Sequence, residues 1–265
     1  MTDPVQKVSA EANAETDTEA NTNIAIIGGG MVGICLAILL AQKKQNWSIT
    51  LIESFPLEAP HNTSETRPII YQPSFDSRST ALAAGSKDIL EQCGVWETLK
   101  DHVTAISKVH VSDKNHFGGT LIDATDYDMK AVGYVVENAW FGQVLISEVF
   151  KHKNIHVIAS ASVKKITPKK NGYRIELESS DVSSATKNAQ PSCNNVINAE
   201  LTIVADGANS AISAQLGIQC KEKKYHQNAL IANIQCDRPH RGVAYERFTD
   251  QGPIALLPAS DSDNQ

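Results

Sequence analysis

The stretch from Ile24 to Glu53 limits what this chain can fold into more than any other. It runs Ile-Ala-Ile-Ile-Gly-Gly-Gly-Met-Val-Gly, continues through a long apolar segment, and ends Ile-Thr-Leu-Ile-Glu. Four apolar residues, Ile24 to Ile27, have the length of a short strand buried on both faces. A helix is expected from Met31 to about Lys43, and a second strand from Ile49 to Ile52, ending at Glu53. Gly28, Gly30 and Gly33 between strand and helix fit the spacing G-x-G-x-x-G, and the acid follows 20 residues after the third glycine. A membrane span is the competing reading, because Ile24 to Ala41 is 18 residues without a charge. Four glycines among the first ten of those residues argue against it.

Each residue type in that unit has a physical task. Gly28 permits a tight turn out of the strand, Gly30 lets a pyrophosphate approach the backbone, and Gly33 lets helix and strand pack closely. N–H groups left unpaired at the helix start, together with its dipole, favour phosphate charge. Glu53 is placed to accept hydrogen bonds from ribose hydroxyls, and its charge would repel a 2′-phosphate. FAD or NAD is therefore expected rather than NADP.

A second site is expected after the apolar strand Leu201 to Ala205, where Asp206-Gly207-Ala208-Asn209-Ser210 follows at once. Ligands of α/β sheets gather at the carboxyl ends of strands. The alternative is that Asp206 merely caps a following helix or sits in an Asp-Gly turn. A third feature is Asp76-Ser77-Arg78-Ser79-Thr80-Ala81-Leu82, followed by small residues and a helical pattern to Gly94. Arg78 either serves a ligand or is a surface charge near a helix start.

Elsewhere the pattern predicts strands over Val103–Ser112, Thr120–Ile122, Val132–Val136, Ile155–Ala159, Tyr173–Leu177 and Val196–Ala205. A helix is expected over Asn138–Lys151. Further strands, Ala229–Gln235, Val243–Thr249 and Ile254–Leu257, read as a separate sheet. Residues 1–22 read as a disordered extension, 23–220 as a nucleotide-binding domain, and 221–265 as the incomplete start of a second domain. Parts of 60–135 are expected to contribute to that second side. The fold class is α/β, a dinucleotide-binding domain joined to a β-sheet domain that looks truncated.

Bulk properties exclude several function classes. Net charge is −6, but residues 1–20 hold five acids against Lys7 alone, so the body is close to neutral. That gives no electrostatic case for nucleic acid. Five cysteines form no C-x-x-C pair and read as reduced thiols, several of them core filler. The eight histidines show no metal-ligand spacing, and His102, His110, His116, His152, His156 and His226 read as surface residues. No G-x-S-x-G or Walker sequence is present. Asp126 and Asp128 read as a solvated loop. No catalytic side chain and no metal site are expected. The acidic, polar opening is unlike a signal peptide, which suggests a cytoplasmic protein.

Taken together, Gly28-x-Gly30-x-x-Gly33 with Glu53, Asp76-x-Arg78-x-x-Ala81-Leu82, and Ala205-Asp206-Gly207-Ala208-x-Ser210 resemble the FAD-dependent aromatic hydroxylases of the para-hydroxybenzoate hydroxylase type. The run Arg78 to Gly85, Val109 to Asp113, and Glu246-Arg247-Phe248-Thr249 with Gly252-Pro253 resemble the ubiquinone-biosynthesis branch of that family. The resemblance implies that Gly28, Gly30 and Gly33 hold the FAD pyrophosphate and Glu53 the adenosine ribose. It places Arg78 on the flavin side, Asp206 and Gly207 at the ribityl or pyrophosphate, and Gln143 near the adenosine. The family's arginine in the Val136-Glu137-Asn138 segment has no match here, and its further Gly-Asp motif is not found after Leu257. The implied chemistry is reduction of FAD by a transiently bound NAD(P)H, reaction with O₂ to a flavin C4a-hydroperoxide, and hydroxylation of a polyprenylated phenol. Association with the inner membrane face or with other ubiquinone-pathway proteins would follow from the apolar substrate. Three alternatives stay open: a sister ring hydroxylase, an NAD-dependent dehydrogenase, and a non-catalytic FAD-binding protein.

Overall fold

The computed structural model describes residues 19–58, 73–178 and 195–259. Expectations for the first 18 residues, most of the proline-rich loop after Glu53, the polar loop after Glu178, Cys193 and the last six residues lie outside the described residues. In chain order, β1 (Glu19–Ile27) leads through the glycine turn into α1 (Met31–Lys43) and β2 (Ile49–Ile52). Then come β3 (Ser79–Ala83), α2 (Ala84–Gln92), α3 (Trp96–Leu99), β4 (Val103–Ile106), β5 (Lys108–Asp113), β6 (Gly119–Asp123), β7 (Gly133–Glu137) and α4 (Asn138–Val149). The remainder is β8 (Ile155–Ile158), β9 (Val163–Lys169), β10 (Gly172–Leu177), β11 (Val196–Val204), α5 (Ala211–Gln215), β12 (Val243–Phe248) and β13 (Ile254–Leu256).

A six-stranded sheet in the order β8-β2-β1-β11-β10-β9 forms the frame. Its first four strands are parallel, and β10 and β9 extend it antiparallel. Side-chain alternation along β1 divides the core between the two faces. Ile24 and Ile26 pack with Ile34, Ile38, Leu51, Phe141 and Leu145. Ala25 and Ile27 pack on the other side with Ile52, Ile175, Ile197 and Ile212. Ile26, Ile34 and Ile38 are fully buried, and each such side chain contributes roughly 1.5–3 kcal/mol relative to exposure. The span reading of Ile24–Ala41 is thereby replaced by a strand and a helix of one core. Among the described residues no helix is long and apolar enough to cross a membrane.

Among the described residues two smaller sheets accompany it, β3-β7-β4 and β13-β12-β5-β6. The expected single strand Val103–Ser112 is two strands in different sheets, broken at Ser107. There the N–H groups of Ser107 and Lys108 both donate to Gly242 O, at 2.8 and 3.3 Å. Strand β1 begins at Glu19, so residues 19–22 of the expected extension are ladder-paired with β11. Residues 229–235, expected as a strand, have no regular structure and are exposed. Strand β9 was not expected from the sequence, nor was β3.

Candidate functional site

Register sets the site. Ile27 at the end of β1 lies opposite both Ile52 of β2 and Val204 of β11, so three strands end level. Further backbone bonds extend this alignment by one residue: Gly28 N–H donates to Ile52 O at 2.8 Å and Ala205 N–H to Ile27 O at 2.7 Å. The glycine turn, Glu53 and Asp206 therefore leave the sheet side by side at its carboxyl edge. They open onto one cleft of about 720 Å³, within the range of small-molecule sites, roughly 300–1,000 Å³. Gly28, Gly30, Met31, Glu53, Arg78, Asn138, Asp206 and Gly207 all line it.

Two of the glycines are required by close backbone approach. Gly28 has φ +109°, and a Cβ there would lie 2.4 Å from Ala205 O. At Gly33 a Cβ would lie 1.9 Å from Gly28 O, so the first turn of α1 rests on the turn before it. Gly33 thus shapes the cradle from behind. Gly30 faces the cleft; among the described residues only Ser74 comes near where its Cβ would stand, with Oγ at 3.2 Å. Its backbone is extended and no side chain caps α1. The first N–H groups of that helix, which have no partner four residues back, therefore point at the cleft. No acid sits in the first turn to compete.

Glu53 is buried at 8% exposure. Its Oε2 accepts the Gly29 N–H at 2.6 Å, while Oε1 accepts the Phe55 N–H at 2.9 Å and the Ser54 hydroxyl at 3.1 Å. The carboxylate thus stitches the glycine loop to the end of β2, a task that the motif spacing does not disclose. Oε1 is thereby filled, and one lone pair remains on Oε2 for a further donor.

Arg78 precedes a strand, not a helix, which removes the helix-start reading of it. Asp76 Oδ2 accepts its Nε–H at 2.6 Å, and Asp76 Oδ1 its backbone N–H at 3.0 Å. Burial opposes ionisation of Asp76, but the Arg78 contacts, followed by Asn138, outweigh it and hold the carboxyl below its ordinary value. Asp206 does not cap α5: that cap is Ser210, whose Oγ accepts the Ser213 N–H at 2.9 Å. Asp206 and Gly207 (φ +90°) are exposed at the cleft instead. Gln143 is the site residue that the fold does not bring in. It lies on the exposed side of α4, outside the cleft lining.

Asn138 was missed as a site residue. It is buried, lines the cleft, and bonds to both Asp76 and Thr80. The sequence signal for it is a polar residue beside Glu137 at a strand-to-helix junction, which has no distinguishing feature. Other residues take the places expected, with small exceptions. Asp126 and Asp128 are exposed, Cys93 is buried, and Cys220 and Cys236 are exposed free thiols. His110 and His152 are half-buried rather than surface residues. Among the described residues no cluster of His, Cys, Asp or Glu is suited to a metal.

Proteins of known name match most of this chain. 3-Demethoxyubiquinol 3-hydroxylase of Escherichia coli K12 is 28% identical over 248 residues, covering 92% of this chain and 56% of that protein. Ubiquinone biosynthesis monooxygenase COQ6 of Caenorhabditis elegans is 28% identical over 245 residues, covering 89% and 49%. The crystal structure of P. aeruginosa PqsL with 2-aminobenzoylacetate superposes with a TM-score of 0.65 at 12% identity, covering 91% of this chain and 58% of that one. That likeness is one of fold. The chain spans about half the length of the curated relatives it matches. A family model described as FAD binding domain matches residues 21–264. The chain belongs to the FAD binding domain family.

Proposed function

We propose that this chain is the FAD-binding part of a flavin-dependent monooxygenase that hydroxylates a polyprenylated phenol in ubiquinone biosynthesis. One observation carries the reading: the level ends of β1, β2 and β11, which gather the glycine cradle, Glu53 and Asp206-Gly207 around a cleft that Arg78 also faces. These residues fit FAD. Gly30 leaves room where a Cβ would intrude, the helix start and Arg78 supply donors to phosphate, and Asp206 supplies an acceptor for hydroxyls. The names of the E. coli and C. elegans relatives support the ubiquinone-pathway assignment.

In this reading Gly28, Gly30 and Gly33 form the pyrophosphate cradle, and Glu53 holds the loop while accepting from the adenosine ribose. Arg78, Asp206 and Gly207 serve the phosphate and ribityl portion. Gln143 takes no part. Bound FAD supplies the oxygen-activating chemistry after reduction by NAD(P)H, with O₂ as co-substrate. The protein's tasks are to bind, orient and exclude water, which requires no side-chain nucleophile. We read residues 23–220 as the FAD-binding domain and 221–265 as the start of the substrate domain. The pairing of β12 with β5 supports a contribution from the earlier segment to that substrate side. A polyprenyl tail implies peripheral access from the inner membrane face.

The test is a visible absorbance spectrum of the purified protein, repeated for Gly30→Asp and Arg78→Ala. Flavin bands in the wild type, lost in Gly30→Asp and weakened in Arg78→Ala, are expected, with bleaching on addition of NADH or NADPH. A colourless protein that takes up NAD but not FAD would establish the dehydrogenase reading instead. Bound FAD that neither nucleotide reduces, under any phenol tested, would leave a non-catalytic flavin-binding protein.

A further inference from the structure

Arg78 is exposed and carries a flexible side chain, so something must select which of its donors face the cleft. The segment bearing it is fixed in two separable ways. Packing is the first: Phe75 is buried against Gly142 of α4, where a Cβ would lie 2.3 Å from the ring. The second is a chain of hydrogen bonds that runs through Asn138, the first residue of α4, at 5% exposure.

Three polar groups of Asn138 tie it to the segment that bears Arg78. Its backbone N–H donates to Arg78 O at 2.8 Å, extending the ladder between β3 and β7. Its Oδ1 accepts the Thr80 hydroxyl at 2.6 Å, and its Nδ2 donates to Asp76 Oδ1 at 3.4 Å. Only one amide orientation satisfies both partners: a carboxylate accepts and cannot donate, so Nδ2 must face Asp76 and Oδ1 must face Thr80. Asp76 held in this way grips Arg78 by Nε at 2.6 Å and by the backbone N–H at 3.0 Å. The Nη2 group reaches Pro73 O at 3.4 Å. With Nε and part of Nη2 engaged, the Nη1 edge of the fork is the part left for an anion or hydroxyl in the cleft.

We propose that Asn138 is a positioning residue for the cofactor site, acting through Asp76 to present the Nη1 edge of Arg78 to bound FAD. The inference rests on the flavin reading above and goes beyond it by assigning a role to a residue outside the three motifs. Removing the Asn138 side chain leaves the Phe75–Gly142 packing in place, so the fold persists, but Asp76 and Arg78 lose their fixed register.

A double-mutant cycle on FAD affinity, read by flavin fluorescence quenching in the purified protein, separates positioning from mere stability. Asn138→Ala is expected to weaken FAD about tenfold or more, the scale of a lost hydrogen bond to a charged group. In an Arg78→Ala background the same change is expected to cost less than about twofold, because coupled residues are non-additive. Melting temperature should fall by the same amount in both backgrounds. Thr80→Val, which removes the hydroxyl that Asn138 Oδ1 accepts and so loosens the amide, should show the same coupling at smaller size and serves if Asn138→Ala does not fold. Equal FAD losses in both backgrounds for the variant measured would overturn the inference and leave the flavin reading intact. A wild type that binds no FAD would overturn both.

Discussion

Alanine placed at Gly33 and alanine placed at Gly30 should separate folding from binding. At Gly33 the new Cβ lies 1.9 Å from Gly28 O, whereas ordinary contact begins at 3.4 Å. Helix α1 must therefore retreat from the turn by about 1.5 Å, within a core where Ile34 and Ile38 are fully buried. Overpacking of that kind costs roughly 1–3 kcal/mol or more. A 1.9 Å approach to a backbone oxygen belongs at the upper end of that range, and alanine's better helix propensity returns up to about 1 kcal/mol, so a net destabilisation of about 2 kcal/mol is expected. FAD affinity should fall with it, because the Gly28 turn moves.

Gly30→Ala makes the opposite division. The nearest atom to its Cβ is Ser74 Oγ at 3.2 Å, the end of a rotatable side chain, and the backbone is extended with φ −75°. Alanine there loses less chain entropy on folding, which stabilises by roughly 0.4–1 kcal/mol. The Cβ nevertheless stands in the cleft, and FAD affinity should drop by about tenfold or more, since each 1.4 kcal/mol of lost contact is tenfold. Urea unfolding gives the stability of each variant, and flavin fluorescence gives the affinity. A Gly33→Ala protein as stable as the wild type, or a Gly30→Ala protein that loses stability in proportion to affinity, would refute the reasoning.

Other substitutions test the remaining parts. Glu53→Gln sets an amide NH₂ against a donor, since Gly29 N–H and Phe55 N–H approach different oxygens; a urea midpoint lowered by an amount equivalent to about 1–3 kcal/mol is expected, and an unchanged midpoint would show that the clamp is dispensable. Asp123 is held at a pKa of about 2 by Lys108 and by Thr125. A depressed folded-state pKa gives stability that is present above the ordinary aspartate range, about 4, and is lost as pH falls toward 2. Asp123→Asn should therefore melt below the wild type near neutral pH, with the two curves converging in acid; parallel curves would discount the pair. Gly85, early in α2, has none of the described residues within 4 Å of where a Cβ would stand, so Gly85→Ala should raise the urea midpoint by roughly 0.5–1 kcal/mol of stability, and a lowered midpoint would contradict that open space.

The nucleotide unit was legible because each of its parts is punctuated locally. Helix α1 and β2 begin and end where expected, since glycine, a change of period and a terminal acid mark their limits. Strand β9 was not legible. It is an edge strand with Lys164, Lys165, Lys169 and Pro168, and only Ile166 is buried. Charge and proline of that kind protect a sheet edge from further pairing, and they also erase the apolar alternation by which a strand is recognised. The break at Ser107 was hidden for a different reason. The only local mark is a change of phase in the apolar alternation, from Ile106 to Val109 across Ser107 and Lys108, and the residue that redirects the chain, Gly242, is 135 positions away.

The segments Ala229–Gln235 and Val243–Thr249 carry the same kind of strand signal, yet only the second forms a strand. Val243–Phe248 lies beside β5 with six residues in register. In the first segment Leu230, Ile231 and Ile234 are 100%, 66% and 62% exposed, and Asn233 makes a single long contact, 3.5 Å to Ser77 O. Strand propensity describes how well a side chain suits a pleated, half-buried surface, and it supplies no partner. The same division applies within the site. Gly28, Gly33 and Asp206 act through backbone and position, so short motifs disclose them. Asn138 acts by joining Asp76 and Thr80, which lie 62 and 58 residues away in sequence. A network of that range leaves no local pattern, and it becomes visible only when the ladder between β3 and β7 brings its members together.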